Sequence, residues 1–248
     1  MKVNISMSHP QTPYGFAGIV LSYGTSEVTE VALNIEYRNL FEFTKRQEGP
    51  AFDLFVMASL VYGIDILLPR ESFGFDGWSR EIEVAFPVEN TTLFENGKDA
   101  LEKTLNFLTG DIWSISFEQR AIKYLYRCGK KQKVYSDNFR KKHKVVNLFS
   151  GGLDSLIGAI NQLRSSDDCV CLVSHTDSMF KGAKSDQEDI LKVLRRKYRH
   201  NHYLPTRVDM EKHDVNGDKY HKETTLRSRS FLFLSMAVLV ADSIDKVM

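Results

Sequence analysis

The sequence predicts an α/β chain: a parallel sheet with flanking helices, preceded by an α+β N-terminal region. Three observations lead there. Past residue 144, apolar strands and helices alternate with short connections, the pattern of a parallel sheet with helices packed on it. Before residue 120, short runs of alternating apolar residues are interrupted by two stretches of helical spacing. Composition fits a globular core, with 42% hydrophobic and 26% charged among 248 residues.

Taken in order, strands are predicted near residues 3–7, 16–23 and 28–37. A helix fits 52–68, where Phe55, Ala58, Tyr62 and Asp65 recur at helical spacing. Pro69 ends it, because proline cannot continue a helix. Over 80–88, Ile82, Val84 and Phe86 alternate with charged or small residues, as in a half-buried strand. Residues 92–108 return to helical spacing through Leu101, Leu105 and Leu108, with Gly110 as the stop. An alternating strand at 112–117 closes this half. The second half reads as strand 144–150, helix 156–164, strand 169–174, helix 187–198, strand 203–209 and helix 225–244. The expected division is an accessory α+β domain at 1–126, a basic linker at 127–144 and the parallel-sheet domain at 145–248.

Bulk properties exclude several classes. Lys and Arg number 33 against 32 Asp and Glu, so net charge alone indicates no polyanionic partner. No unbroken apolar run reaches the roughly 18 residues of a membrane span. The first fifteen residues lack the apolar core of a secretory signal, so a cytoplasmic protein without a membrane partner is expected. Cys128, Cys169 and Cys171 form neither a disulfide framework nor a zinc motif. Cys169 and Cys171, two apart in an apolar strand, read as packing thiols.

Chemistry concentrates in Phe149-Ser150-Gly151-Gly152-Leu153-Asp154-Ser155, between a predicted strand and a predicted helix. In parallel sheets, ligands collect at the carboxyl ends of the strands. Two glycines let backbone N–H groups approach a ligand with no Cβ in the way. The helix start adds unpaired amides and a positive dipole end. Ser150 and Ser155 add hydroxyl donors, which makes an anion cradle suited to the pyrophosphate part of ATP. The spacing is shorter than a Walker A loop, and no lysine follows the second glycine. A plain Gly-Gly turn with Asp154 or Ser155 capping a helix is the alternative. Chance alone would produce the pattern in about one chain per few thousand.

This segment resembles the PP-loop superfamily of ATP pyrophosphatases, whose Ser-Gly-Gly-x-Asp-Ser loop grips ATP. The stretch 227–235, Arg-Ser-Arg-Ser-Phe-Leu-Phe-Leu-Ser, is similar to the 7-cyano-7-deazaguanine synthase (QueC) branch, where an arginine opens an apolar helix beside the nucleotide. Segments 61–65, 76–80 and 107–113 resemble the N-terminal extension of the QueC-like subunit of the Qat anti-phage system. The resemblance implies an adenine nucleotide alpha hydrolase-like, Rossmann-like PP-loop fold. It also implies ATP and Mg²⁺, with residues 149–155 on the phosphates and Asp154 near the Mg²⁺ or orienting the loop. The implied reaction is adenylylation of a deazapurine carboxylate, such as 7-carboxy-7-deazaguanine, with pyrophosphate release and amide or nitrile formation. The implied partners are other proteins of a defence system. A non-catalytic subunit that binds ATP or nucleic acid is the alternative function. Family members continue past the last helix with further strands and a four-cysteine zinc site. This sequence stops at Met248 without zinc ligands, so Zn²⁺ is expected only in a full-length member and weak catalysis is expected of these residues alone.

Other residues carry narrower expectations. Arg227 and Arg229 precede an apolar helix, where cations oppose the helix dipole unless an anionic ligand is present; a solvated pair is the alternative. His175 is expected just past its strand, at the ligand edge, as a nucleotide contact or acid–base group; Asp177 is a weaker candidate. His200, His202, His213 and His221 read as surface residues. The run from Arg127 to Lys144, with Tyr124, Tyr126, Tyr135 and Phe139 interleaved, reads as a nucleic-acid contact or a solvated linker.

Overall fold

The computed structural model describes the chain except Asp76, Ser166 and residues 178–180 and 246–248, and it leaves undescribed the side chains of 181–184 and 245. Asp76 of the 76–80 segment and the chain end at Met248 therefore lie outside the described residues. In chain order the elements are β1 (Lys2–Ser8), β2 (Gly18–Tyr23), β3 (Thr29–Glu36), α1 (Arg38–Thr44), α2 (Pro50–Leu67), α3 (Arg70–Phe73), β4 (Glu81–Val88), α4 (Thr91–Asn96) and α5 (Lys98–Thr109). Then follow β5 (Ile112–Gln119), α6 (Asp137–Lys141), β6 (His143–Leu148), α7 (Leu153–Ser165), β7 (Cys169–Thr176), α8 (Lys181–Lys197), β8 (Asn201–Met210) and α9 (Arg229–Asp245). This is an α/β fold whose strands pair mostly in parallel. Two compact units share the chain. Unit 1 comprises Met1–Ile35, Gln47–Arg127 and Asp209–Leu232, and unit 2 comprises Glu36–Arg46, Cys128–Val208 and Phe233–Met248.

In unit 1 the strand order is β5-β4-β1-β2-β3. β1, β4 and β5 run parallel, while β2 joins β1 and β3 in antiparallel pairs. The alternation read from the sequence is the burial alternation: Val31, Leu33 and Ile35 of β3, and Ile82, Val84 and Phe86 of β4, face the core. Helix α2 starts with Pro50 at its first position and is buried almost all round. With mean hydropathy 1.6 over 18 residues it is long and apolar enough to cross a bilayer, yet 83% of it is buried in the protein, as a core helix. A Cβ on its Gly63 would stand 2.8 Å from Leu21 Cδ1 and 3.1 Å from Leu33 Cδ1, so any larger residue would force those side chains to shift where the helix packs on β2 and β3. The single helix expected at 92–108 is two. Gly97 ends α4 and starts α5, because glycine has low helix propensity and caps both ends readily.

In unit 2, β6, β7 and β8 form parallel pairs in the order β8-β7-β6. Phe149, Ala159, Leu163, Val170, Leu172, Leu191 and Leu194 make its core, so α7 and α8 bury their apolar faces against β7. The basic run is not a plain linker here. It contains α6, capped by the Ser136 hydroxyl, and its Arg140 is buried, donating to the Thr44 and Ser243 carbonyls and to Asp137. At the amino ends of the strands Phe139, His143 and His202 pack ring against ring with Phe43 and Tyr135. His202, expected on the surface, is thus part of an aromatic cluster.

Candidate functional site

The 150–155 segment leaves the carboxyl end of β6 and enters α7. Phe149 anchors its start: the side chain is fully buried and its N–H donates to the Val173 carbonyl at 2.8 Å. Gly151 has φ +88°, a left-handed conformation that side-chain-bearing residues adopt only with strain. Gly152 accepts from the Leu156 N–H at 3.1 Å and from the Ser155 hydroxyl at 2.8 Å. The Ser150 hydroxyl lies 3.2 Å from that of Ser155 and 3.4 Å from the Gly152 nitrogen. Leu153, Asp154 and Ser155 form the first turn of α7, whose amides have no partner within the helix. Ser150, Gly152, Leu153 and Asp154 are exposed. The arrangement places first-turn N–H groups, two hydroxyls and one carboxylate together at a helix start, chemistry that suits an oxyanion.

Sequence reasoning missed what holds the loop. Gln187 of α8 is fully buried and donates through Nε2 to the Ser150 carbonyl at 2.9 Å. Its Oε1 accepts from the Ser174 hydroxyl of β7 at 2.7 Å and the Tyr203 hydroxyl of β8 at 3.0 Å. Burial, foremost, raises the Tyr203 pKa, which keeps it a donor. One amide thus links the loop to β7 and β8. The available signal was a glutamine inside a helix between two apolar strands that carry Ser174 and Tyr203.

His175 lies within β7, which runs two residues beyond the expected 174, rather than past it. It is fully buried, with Nε2 2.9 Å from the Val208 carbonyl and its ring edge-on to Phe233. Asp177 follows the strand and is also buried. Cys171 is buried and its thiol pKa is pushed up by burial and by Cys169, so it stays protonated.

Arg227 and Arg229 belong to unit 1, and α9 begins at Arg229, four residues later than the helix expected from 225. Arg227 stacks on Trp78 at 3.9 Å from the ring centroid and donates to the Thr109 carbonyl at 3.2 Å. Leu226 before it holds φ +43°, a strained value for leucine that fixes the turn into the helix. A cleft of about 270 Å³ opens there, lined by Arg70, Trp78, Glu223, Thr225 and Arg227 among others.

Beneath it lies a buried charge network. Arg80 pairs with Asp65 and Asp111 at 2.6 Å each; Arg70 pairs with Asp65 at 3.1 Å and also with Asp111. The second Asp65 oxygen accepts from the Ser228 N–H at 3.0 Å and hydroxyl at 2.8 Å. Burial alone would raise the Asp111 pKa, but the two guanidinium groups lower it. Glu223 behaves likewise: hydrogen bonds from the Arg70, Thr224 and Thr225 amides outweigh its burial and hold it at about 2. Asp65, Arg80, Asp111 and Ser228 come from the segments 61–65, 76–80, 107–113 and 227–235, so four stretches singled out separately meet at one cluster.

Comparison with protein-family models, with curated proteins and with solved structures finds no match to this chain.

Proposed function

We propose that this chain is a PP-loop ATP pyrophosphatase that binds Mg-ATP at residues 150–155 and adenylylates a small-molecule carboxylate. One observation carries the reading: the Ser-Gly-Gly-x-Asp-Ser segment stands at the carboxyl end of a parallel strand, opens a helix, and has its backbone pinned by Gln187. The amides of the first α7 turn and the hydroxyls of Ser150 and Ser155 would bind the β- and γ-phosphates. Asp154 would hold Mg²⁺, which neutralises triphosphate charge.

In the proposed reaction a carboxylate oxygen attacks the α-phosphorus, the bond to the bridging oxygen breaks, and pyrophosphate leaves into the cradle. An amine then displaces AMP from the acyl-adenylate and gives an amide. The resemblance to 7-cyano-7-deazaguanine synthases makes a deazapurine carboxylate the leading substrate, and the resemblance to the Qat subunit suggests an anti-phage setting. Arg227, Arg229 and His175 take their proposed roles toward the nucleotide from that resemblance. A second reading, a nucleotide-binding subunit without catalysis, draws support from His175, which is buried against a backbone carbonyl rather than presented as an acid–base group.

Calorimetry with Mg-ATP tests the first step. The wild-type chain binds, and the combined Asp154→Ala and Ser155→Ala substitutions abolish binding. Pyrophosphate release is then measured with 7-carboxy-7-deazaguanine. Binding without release in the presence of that acid selects the second reading, and no binding by the folded chain defeats both.

A further inference from the structure

We propose that the amino edge of the unit 2 sheet binds the sugar-phosphate backbone of a nucleic acid. The chain's near-neutral total hides a segregation of charge. Unit 2 carries 20 Lys and Arg against 12 Asp and Glu, while unit 1 carries 13 against 20. Such asymmetry within one chain is a signature of polyanion contact.

Within unit 2 the fold gathers cations that are far apart in sequence. Lys141 ends α6 and Lys142 connects it to β6, and Arg195, Arg196 and Arg199 lie at the end of α8 and in its connection to β8. Both stretches border the amino ends of the parallel strands: the Cys169 N–H donates to the Lys142 carbonyl at 3.1 Å, and the Val170 N–H to the His200 carbonyl at 2.9 Å. The aromatic cluster joins them, since His202 of β8 packs on Phe139 and His143 of α6 and β6. Arg195 lies close enough to bias the titration of both Tyr135 and His202.

All five cations are exposed, and among the described residues none is paired with an acidic side chain. Asp137, the acid inside the basic run, is taken by Lys45 and Arg140. Asp167 and Asp168 share the edge and leave the cations in excess. A row of exposed cations without acidic partners among the described residues fits a repeating row of phosphates.

Two competing partners fit less well. A membrane-surface helix needs a free apolar face, but Leu191 and Leu194 of α8 are already packed in the unit 2 core. A protein interface centres on a buried apolar or aromatic anchor, and among the described residues the large exposed apolar side chains of α8 and the basic run are Val193 and Val134. The surface also lies at the end of the sheet opposite residues 150–155, so it is separate from the proposed nucleotide site.

Fluorescence anisotropy of the full chain with labelled 20-nucleotide RNA, single-stranded DNA and duplex DNA, across 50–200 mM salt, tests this directly. Wild type binds at least one of them with a steep salt dependence. Replacing Lys141, Lys142, Arg195, Arg196 and Arg199 by Gln together makes the slope of log K against log salt shallower by about 3–4 on single strands, and weakens binding at 100 mM salt at least tenfold. Lys103→Gln with Lys123→Gln, exposed cations of unit 1, leaves both unchanged. Thermal unfolding establishes that each variant is folded, and the pairs Lys141→Gln/Lys142→Gln and Arg195→Gln/Arg196→Gln give intermediate slopes if the fivefold variant is not. Absence of binding at 50 mM salt, an unchanged slope in folded variants, or tighter binding to phosphatidylserine vesicles than to any oligonucleotide overturns the proposal.

Discussion

Arg80 holds Asp111 along both edges of the carboxylate, with Nε 3.0 Å from Oδ1 and Nη2 2.6 Å from Oδ2, while its own backbone N–H donates to Oδ1 at 3.0 Å. The residue preceding β4 is thereby fixed to the residue preceding β5, and the register of this parallel pair is set before its first ladder bond.

Removing one partner of such a pair leaves a buried charge without compensation. Arg80→Ala is expected to cost about 3–5 kcal/mol, read from the urea unfolding midpoint. Arg80→Lys should recover only part, because an ammonium cannot reproduce the two-edged contact. A loss below 1 kcal/mol for the alanine variant would show that the network is replaceable by water.

His202 supplies a pH dependence. Burial, then the charges of His143 and Arg195, lower its pKa from 6.5 to about 4. The unfolded chain therefore binds a proton between those values that the folded chain refuses. The His202 contribution to stability is full above pH 6.5, falls as pH drops toward 4 and is lost below that, by about 3 kcal/mol. His202→Phe should flatten the midpoint of thermal unfolding across this window, and parallel curves for the two proteins would contradict it.

Gln187→Leu deprives the Ser150 carbonyl, Ser174 and Tyr203 of their common partner. It should lower stability by about 1–3 kcal/mol. If residues 150–155 bind Mg-ATP as proposed, calorimetric affinity should also fall about tenfold in protein that is still folded. Unchanged affinity would mean that the loop holds its shape without the amide.

Gly151→Ala forces a Cβ onto a left-handed residue, at about 1–2 kcal/mol. Because the strain sits in the loop, the expected result is weaker ATP binding with only a modest fall in melting temperature. Gly63→Ala should do the opposite: it overpacks α2 against Leu21 and Leu33, lowering stability by roughly 1–3 kcal/mol without touching nucleotide affinity.

Local patterns in the sequence were legible where one face of an element meets the core. Ile82, Val84 and Phe86 gave β4 directly, and Pro69 and Gly110 gave helix ends. The break at Gly97 was hidden because the leucine spacing runs through it. Helices α1 and α6 are too short to show a period. The strand–turn–helix setting of residues 150–155 followed from two glycines and a serine, but Gln187 did not, since its partners are 13 to 37 residues away. Long-range pairing also concealed why Asp65, Arg80 and Asp111 belong together: nothing in a single sequence indicates which buried arginine answers which aspartate.

Strand β6 has six residues, His143–Leu148, and at about 3.3 Å per residue it separates its two ends by roughly 20 Å. A phosphodiester chain seated on the amino edge would therefore be held about six base-pair rises from a nucleotide bound, as proposed, at residues 150–155. Such a strand would act as a tether that localises the protein, and the molecule that is chemically altered would arrive separately from the other side.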